Sequence, residues 1–134
     1  MVVSTRGRYA LRVMIDIAEN SGGGYLAMKE VAQRQDISLK YMERIMPALV
    51  AGKLVEGQHG KGGGYRLIRS PEEYTIGEIL RLTEGDLAPV ACLECNADQC
   101  DRTAECRTLP MWTELNRRIN EYLDSVTLAD LMRK

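Results

Sequence analysis

"SLKYMERIMPALVAGKLVEGQHGKGGGYRLIRS", residues 38–70 of a 134-residue chain, changes from helical to strand-like spacing within one short segment. Ser38 is placed to cap a helix over 39–51, because its hydroxyl can accept a hydrogen bond from a first-turn amide. On that helix Leu39, Met42, Met46 and Leu49 share one face, and Lys40, Glu43, Arg44 and Pro47 share the other. Gly52 stops it. Leu54 to His59 and Tyr65 to Ile68 then read as short strands, and "GKGGG" at 60–64 supplies the positive-φ positions of a hairpin loop. "DIS" at 36–38 makes the turn from a shorter helix over about 28–35. Two close helices followed by a glycine-tipped hairpin make a winged helix-turn-helix. The glycines do not form a nucleotide-phosphate cradle, since no GxxxxGK[ST] pattern is present and no helix starts after them.

A helix that reads DNA needs an apolar face to seat it and a polar face to enter the major groove. Lys40 and Arg44 suit phosphates or guanine edges. Glu43 is more informative: near phosphates a carboxylate is repelled unless it accepts a hydrogen bond, as from cytosine N4, and the plainer alternative is a solvated glutamate supporting the helix. Lys61 and the wing amides, Gly63 among them, together with Arg6 and Arg8 of the first helix, are candidate phosphate clamps. Ser38, Tyr41, His59 and Tyr65 complete the candidate DNA-facing set. His59, the single histidine, has no Ser/His/Asp set around it, so an enzyme is not expected. Pro47 removes a helical hydrogen bond at a cost of ~3 kcal/mol, and a kink is expected near residues 43–47.

Charge follows the same division. Residues 1–70 carry 11 Lys+Arg against 6 Asp+Glu, a net of +5, and residues 71–134 carry 7 against 13, a net of −6. The basic half is the candidate polyanion binder, although two solvated faces that merely differ would give the same count. Before the helix pair, Ser4 or Thr5 can cap a first helix with Leu11, Met14, Ile15 and Ala18 inward, ended by "SGGG" at 21–24. After the wing, "TIGE" at 75–78 has the capping-box pattern and opens a helix with Ile76, Ile79 and Leu80 inward and Gly85 past its end. In the last segment Trp112, Leu115, Ile119, Leu123 and Val126 form one stripe of a long helix, and Thr127 to Asp130 open a final turn. That stripe serves either as core or as the seam for a partner helix.

All four cysteines, Cys92, Cys95, Cys100 and Cys106, lie between the helix that opens at Thr75 and the long helix that carries Trp112. The N-terminus lacks a signal-peptide pattern and no apolar run approaches the ~20 residues needed to cross a bilayer, so a cytoplasmic protein with no membrane partner is expected. In that reducing compartment a tight cysteine cluster points to metal binding or redox chemistry rather than structural disulfides.

"STRGRYALRVMIDIA", "ISLKYMERIMPAL", "GKGGGYRL", "TIGEILRLTEG" and "LDSVTLADL", in that order and with the cysteine loop between the last two, resemble the bacterial IscR/NsrR/CymR family of winged-helix transcription regulators over nearly the whole chain. The resemblance implies a homodimer built on the long C-terminal helix, an operator of double-stranded DNA with inexact two-fold symmetry, and an iron-sulfur cluster in members that keep the cysteines. Cys92, Cys100 and Cys106 match the three-cysteine pattern of those members, and Cys95 is additional. Leu109 stands where iron-sulfur-assembly members have a histidine ligand, and Arg8 where nitric-oxide-sensing members have an aspartate.

Neither fourth ligand is therefore present, and the loop offers Cys95 instead. Cys92-x2-Cys95-x4-Cys100-x5-Cys106 supplies four thiolates to a 2Fe-2S or 4Fe-4S cluster. Zinc would use the same four residues, and a metal-free thiol-redox loop is the third alternative. Glu94, Asp98, Asp101 and Glu105 in the same loop offer an oxygen ligand as an alternative to Cys95, although the favoured reading is solvated loop charges. The sequence thus predicts a mostly α chain with a small β-hairpin wing. Residues 1–84 form the DNA-binding domain, 85–107 the cluster loop, and 108–134 the dimerisation helix and C-terminal turn. The expected function is a dimeric regulator sensing iron-sulfur or redox status. The alternatives are a zinc-bound or metal-free regulator of cysteine or sulfur metabolism, and a small iron-sulfur redox protein, which would leave the basic winged helix without a role.

Overall fold

The computed structural model of the chain describes residues 3–94 and 100–133. Helices α1 (Thr5–Asn20), α2 (Met28–Gln35) and α3 (Leu39–Ala51) are followed by the strands β1 (Val55–Gln58) and β2 (Gly64–Leu67). Helices α4 (Ile76–Glu84), α5 (Leu109–Ser125) and α6 (Leu128–Leu131) complete the chain, with single 3-10 turns at Pro71–Glu73 and Ala91–Leu93. The fold is mostly helical with one antiparallel hairpin, as the residue pattern predicts.

Short polar side chains set the helix starts. Ser4 accepts from the Gly7 amide, Ser38 from the Tyr41 amide and Thr75 from the Glu78 amide, each at 3.1 Å. Thr127 and Asp130 make a full reciprocal capping box. At α4 the box is only half made, because the Glu78 carboxylate instead takes two hydrogen bonds from Arg69, at 2.8 and 3.1 Å.

One core joins the elements, and it corrects two expected faces. In α1 the buried stripe is Ala10, Val13, Met14 and Ile17. Leu11, Ile15 and Ala18 are half-buried, because α1 is turned so that the neighbouring stripe faces the core. In α3 the buried residues are Met42, Ile45, Met46 and Leu49. Leu39, expected inward, is 46% exposed, since it starts the helix one turn beyond the packed stretch. The helix continues unbroken through Pro47 to Ala51.

Asp16 lies in the same stripe of α1 and is 2% exposed. Arg34 of α2 donates to both its oxygens, at 2.7 to 3.2 Å, and Gln35 adds a third donor group at 2.8 Å. This supplies the partners that a buried carboxylate requires and ties α2 to α1.

The wing pairs Val55 with Leu67 and Gln58 with Gly64 at its two ends. Leu26, just ahead of α2, adds a third edge by exchanging hydrogen bonds with Tyr65 at 2.8 and 2.9 Å. Gly64 permits that approach, since a side chain there would strike the Leu26 backbone. At the wing base the buried Tyr74 hydroxyl donates to the Leu54 carbonyl at 2.6 Å and accepts from the Ile68 and Arg69 amides at 3.0 Å.

The C-terminal elements close over this unit. Arg81 of α4 forks onto Asp124 of α5 at 2.8 and 2.9 Å and also bonds Asn120. Leu128 of α6 is fully buried, and its amide bonds the Tyr74 carbonyl at 2.9 Å. Among the described residues no helix is long and apolar enough to cross a membrane.

Candidate nucleic-acid interface and cysteine loop

The outer face of α3 presents Ser38, Lys40, Glu43 and Arg44, all exposed. Tyr41 is half-buried, and its ring meets Tyr9 of α1 edge-on, with centroids 5.3 Å apart. Arg12 lies 5.1 Å from the Tyr9 ring centre and bonds both the side chain and the carbonyl of Gln35. Tyr9 and Arg12 therefore brace Tyr41 and the end of α2, a role that sequence reasoning missed. The available signal is the phase of α1: a stripe set on Leu11 marks neither residue as packed, whereas the buried stripe runs through Ala10, Val13, Met14 and Ile17.

Between α3, the start of α2 and the wing lies an open recess of about 240 Å³, lined by Met28, Leu39, Met42, Glu43, Met46, Pro47 and Tyr65. His59 and Lys61 are exposed on the wing. The Gly63 amide is used within the wing turn, donating to the Gly60 carbonyl at 3.0 Å, and the Tyr65 amide is paired with Leu26. Arg66 bonds Glu56 at 2.5 Å and stacks on Tyr25, while Arg69 is held by Glu78, so the wing-base arginines have internal partners. Arg8 is exposed and bonds Thr5 at 3.2 Å, and Arg6 donates to the Thr83 carbonyl at 2.7 Å. The structure thus brings Ser38, Lys40, Tyr41, Glu43 and Arg44 onto one helix and places His59, Lys61, Gly63 and Tyr65 on the adjoining wing.

Arg6 belongs to a clasp between α1 and α4. Glu84 accepts from the Ser4 amide at 3.0 Å and the Ser4 hydroxyl at 2.6 Å, which fastens the last residue of α4 to the cap of α1. The cysteine loop starts immediately afterwards, anchored by buried Leu87 and Ala88. Cys92 and Cys100 are exposed, Cys106 is half-buried, and all three are free thiols. Cys95 and Asp98 lie outside the described residues.

The Cys106 sulfur lies 3.4 Å from the Thr108 hydroxyl. That hydroxyl, then the backbone of Thr108 and of Leu109 at the start of α5, and last the charge of Arg102, hold the thiol below its usual range. Cys100 and Cys106 line one recess of about 470 Å³ with Arg102, Glu105, Arg107 and Thr108. The donors fit a thiophilic metal centre in kind. Among the described residues, however, no three metal-ligating side chains are gathered at one point.

Helix α5 completes the region, and no residue on it is fully buried. Ile119 and Leu123, with Val126 after the helix, pack against the chain's own core. Met111, Leu115 and Tyr122 remain 53%, 39% and 68% exposed. The expected stripe is thus divided between a face turned to the core and a face turned outward, and Tyr122 joins the outward one. On the charged side Glu114 bonds Arg117 and Arg118, which hold its carboxyl at about 2.

A family model described as Rrf2, iron-dependent transcriptional regulator, matches residues 3–134. The chain is 33% identical over 132 residues to the HTH-type transcriptional regulator IscR of Sodalis glossinidius, covering 98% of this chain and 79% of that one. It is 37% identical over 131 residues to the HTH-type transcriptional regulator CymR of Bacillus subtilis, covering 98% and 89%. The solved structure of CymR, described as the global cysteine regulator of B. subtilis, superposes with a TM-score of 0.79 at 35% identity, covering 98% of this chain and 95% of that one. These relatives are named as regulators, not enzymes.

Proposed function

Because the chain belongs to the Rrf2 family of winged helix-turn-helix transcription regulators, we propose that it acts in the cytoplasm as a homodimer on a two-fold-symmetric DNA operator and senses iron-sulfur or redox status through its cysteine loop. The observation that carries this reading is the outer face of α3, where Ser38, Lys40, Glu43 and Arg44 stand exposed beside a wing that presents Lys61. Lys40, Lys61 and Arg8 serve phosphates, with Arg6 at the α1–α4 clasp beside them. Glu43 accepts from a cytosine N4 amino group, and Arg44 meets guanine or phosphate. Residues 1–84 serve as the DNA-binding unit, 85–107 as the sensor loop and 108–134 as the dimer element.

Cys92, Cys100 and Cys106 would hold a 2Fe-2S or 4Fe-4S cluster, with Cys95 as the fourth thiolate. Such a cluster supplies a centre whose occupancy follows iron and oxidants. The chain's own part is to keep Cys106 toward thiolate at the start of α5 and to fasten the loop's entry, through Glu84, to the cap of α1. Movement of the loop therefore reaches the helix that carries Arg6, Arg8 and the Tyr41 brace. It changes DNA binding only insofar as the loaded loop favours one dimer geometry over another.

A second reading, a metal-free thiol sensor, has the Cys106 environment in its favour, and zinc on the same thiolates is a third. Anaerobic purification with an absorption spectrum and iron, sulfide and zinc analysis separates them. Iron with acid-labile sulfide supports the cluster, zinc alone supports the all-thiolate zinc site, and neither leaves the thiol sensor. Selection of duplexes from a random DNA library tests the regulator reading, and enrichment of a sequence with inverted half-sites is expected.

A further inference from the structure

We propose that Leu39, one turn of α3 before Glu43, is a base-reading residue that takes the C5-methyl group of a thymine in the major groove. The inference rests on the DNA-binding reading of α3. Leu39 is a large aliphatic residue left 46% exposed at the first position of that helix, directly after the cap Ser38. The N-terminal residues of a recognition helix are the ones that meet base edges. Leu39 and Glu43 are four residues apart, hence on one face, and both line the recess with Met28, Met42, Met46, Pro47 and Tyr65.

The chemistry of that recess selects its occupant. Its walls are mostly methionine, leucine and proline side chains, and its one charged residue is a carboxylate, so a phosphate is disfavoured there. The major-groove edge of DNA presents only one methyl group, that of thymine. Seating it against Leu39 removes apolar surface from water and leaves no polar group unpaired. Recess and reading face are continuous through Glu43, which places the methyl group within the interface rather than on a separate surface. A rise of 1.5 Å per residue separates Leu39 from Glu43 by about 6 Å along the helix, roughly two base steps, so the thymine should lie within about two steps of the cytosine.

The test uses the full chain and a duplex selected from a random library. Each thymine is replaced in turn by deoxyuridine, which deletes only the methyl group. Wild type should lose roughly fourfold in affinity at one position per half-site, the change expected from one buried methyl group. Leu39→Ala, exposed enough to fold normally by circular dichroism, should bind the parent duplex more weakly and show no further loss at that position. Equal losses in wild type and Leu39→Ala, or indifference of wild type to every replacement, would overturn the proposal while leaving DNA binding intact. A library that yields no enriched duplex would overturn both readings.

Discussion

Helices α3 and α5 are both amphipathic, and the chain completes them to different degrees. α3, with 13 residues, buries Met42, Ile45, Met46 and Leu49 against its own core and turns a polar face outward. α5, with 17 residues, fully buries none, and Met111, Leu115 and Tyr122 stand in solvent. Residues 1–70, which include α3, carry a net charge of +5, and residues 71–134, which include α5, carry −6. The contrast teaches that α3 is largely finished by its own chain, with Leu39 and Val50 its exposed apolar residues, whereas α5 is left unfinished, and a second copy is the partner we propose for its outward face.

The largest effect should come from breaking the unfinished side. Leu115→Glu places a charge on the outward face of α5, where the chain's own core does not depend on it. Sedimentation should show monomers, and operator affinity should fall by on the order of a hundredfold, since two half-sites are no longer held together. Ile119→Glu is the sharpening control: Ile119 packs on the core, so it should also lower the unfolding midpoint. A Leu115→Glu variant that stays dimeric would move the seam off this face.

On the finished side the effects are smaller and differ in kind. Glu43→Ala should relax base preference by roughly 1–3 kcal/mol at one position while retaining binding. Lys61→Ala should weaken all duplexes alike and reduce the salt slope by about one. Competition across an operator library separates the two, and an unchanged preference for Glu43→Ala would return Glu43 to a solvated helix charge.

The contrast between the two helices also marks what was legible in the sequence. Caps at Ser4, Ser38, Thr75 and Thr127 and the glycine-tipped hairpin are local signals, and they place the elements closely. Faces were harder, because hydrophobic spacing leaves a helix free to turn by about one residue. Leu11 reads as core for that reason and Tyr9 does not stand out, whereas Leu39 shares the phase of buried Met42 and Met46 but starts α3 beyond the packed stretch. Asp16 carried usable information, since a carboxylate in phase with Val13 and Ile17 requires a cationic partner, here Arg34. The α1–α4 clasp joins Ser4 to Glu84, 80 residues apart, and no spacing rule reaches that far. Whether apolar residues on α5 serve core or partner is decided by packing alone.

The smallest effect concerns the joint between the halves. Arg81 holds Asp124 below the ordinary aspartate value of 3.8, so the link's contribution is present above that value and is lost as pH falls through the lower value in the folded chain. Asp124 is 45% exposed on its side chain, and solvent screening limits the link to less than ~1 kcal/mol. Asp124→Asn should therefore lower the unfolding free energy slightly at neutral pH, and the difference should vanish in acid. A difference that persists at low pH would show that packing, not charge, joins α5 to α4.

The most direct measurement is the affinity for one selected operator of anaerobically reconstituted wild type, of the same protein after iron is removed, and of Cys92→Ala, Cys100→Ala and Cys106→Ala. The account predicts that wild type carries iron and sulfide, that removing them changes operator affinity, and that each cysteine variant matches the iron-free protein whether or not reconstitution is attempted. Wild type that holds no iron or sulfide, or that holds both and binds the operator as the iron-free protein does, would contradict it.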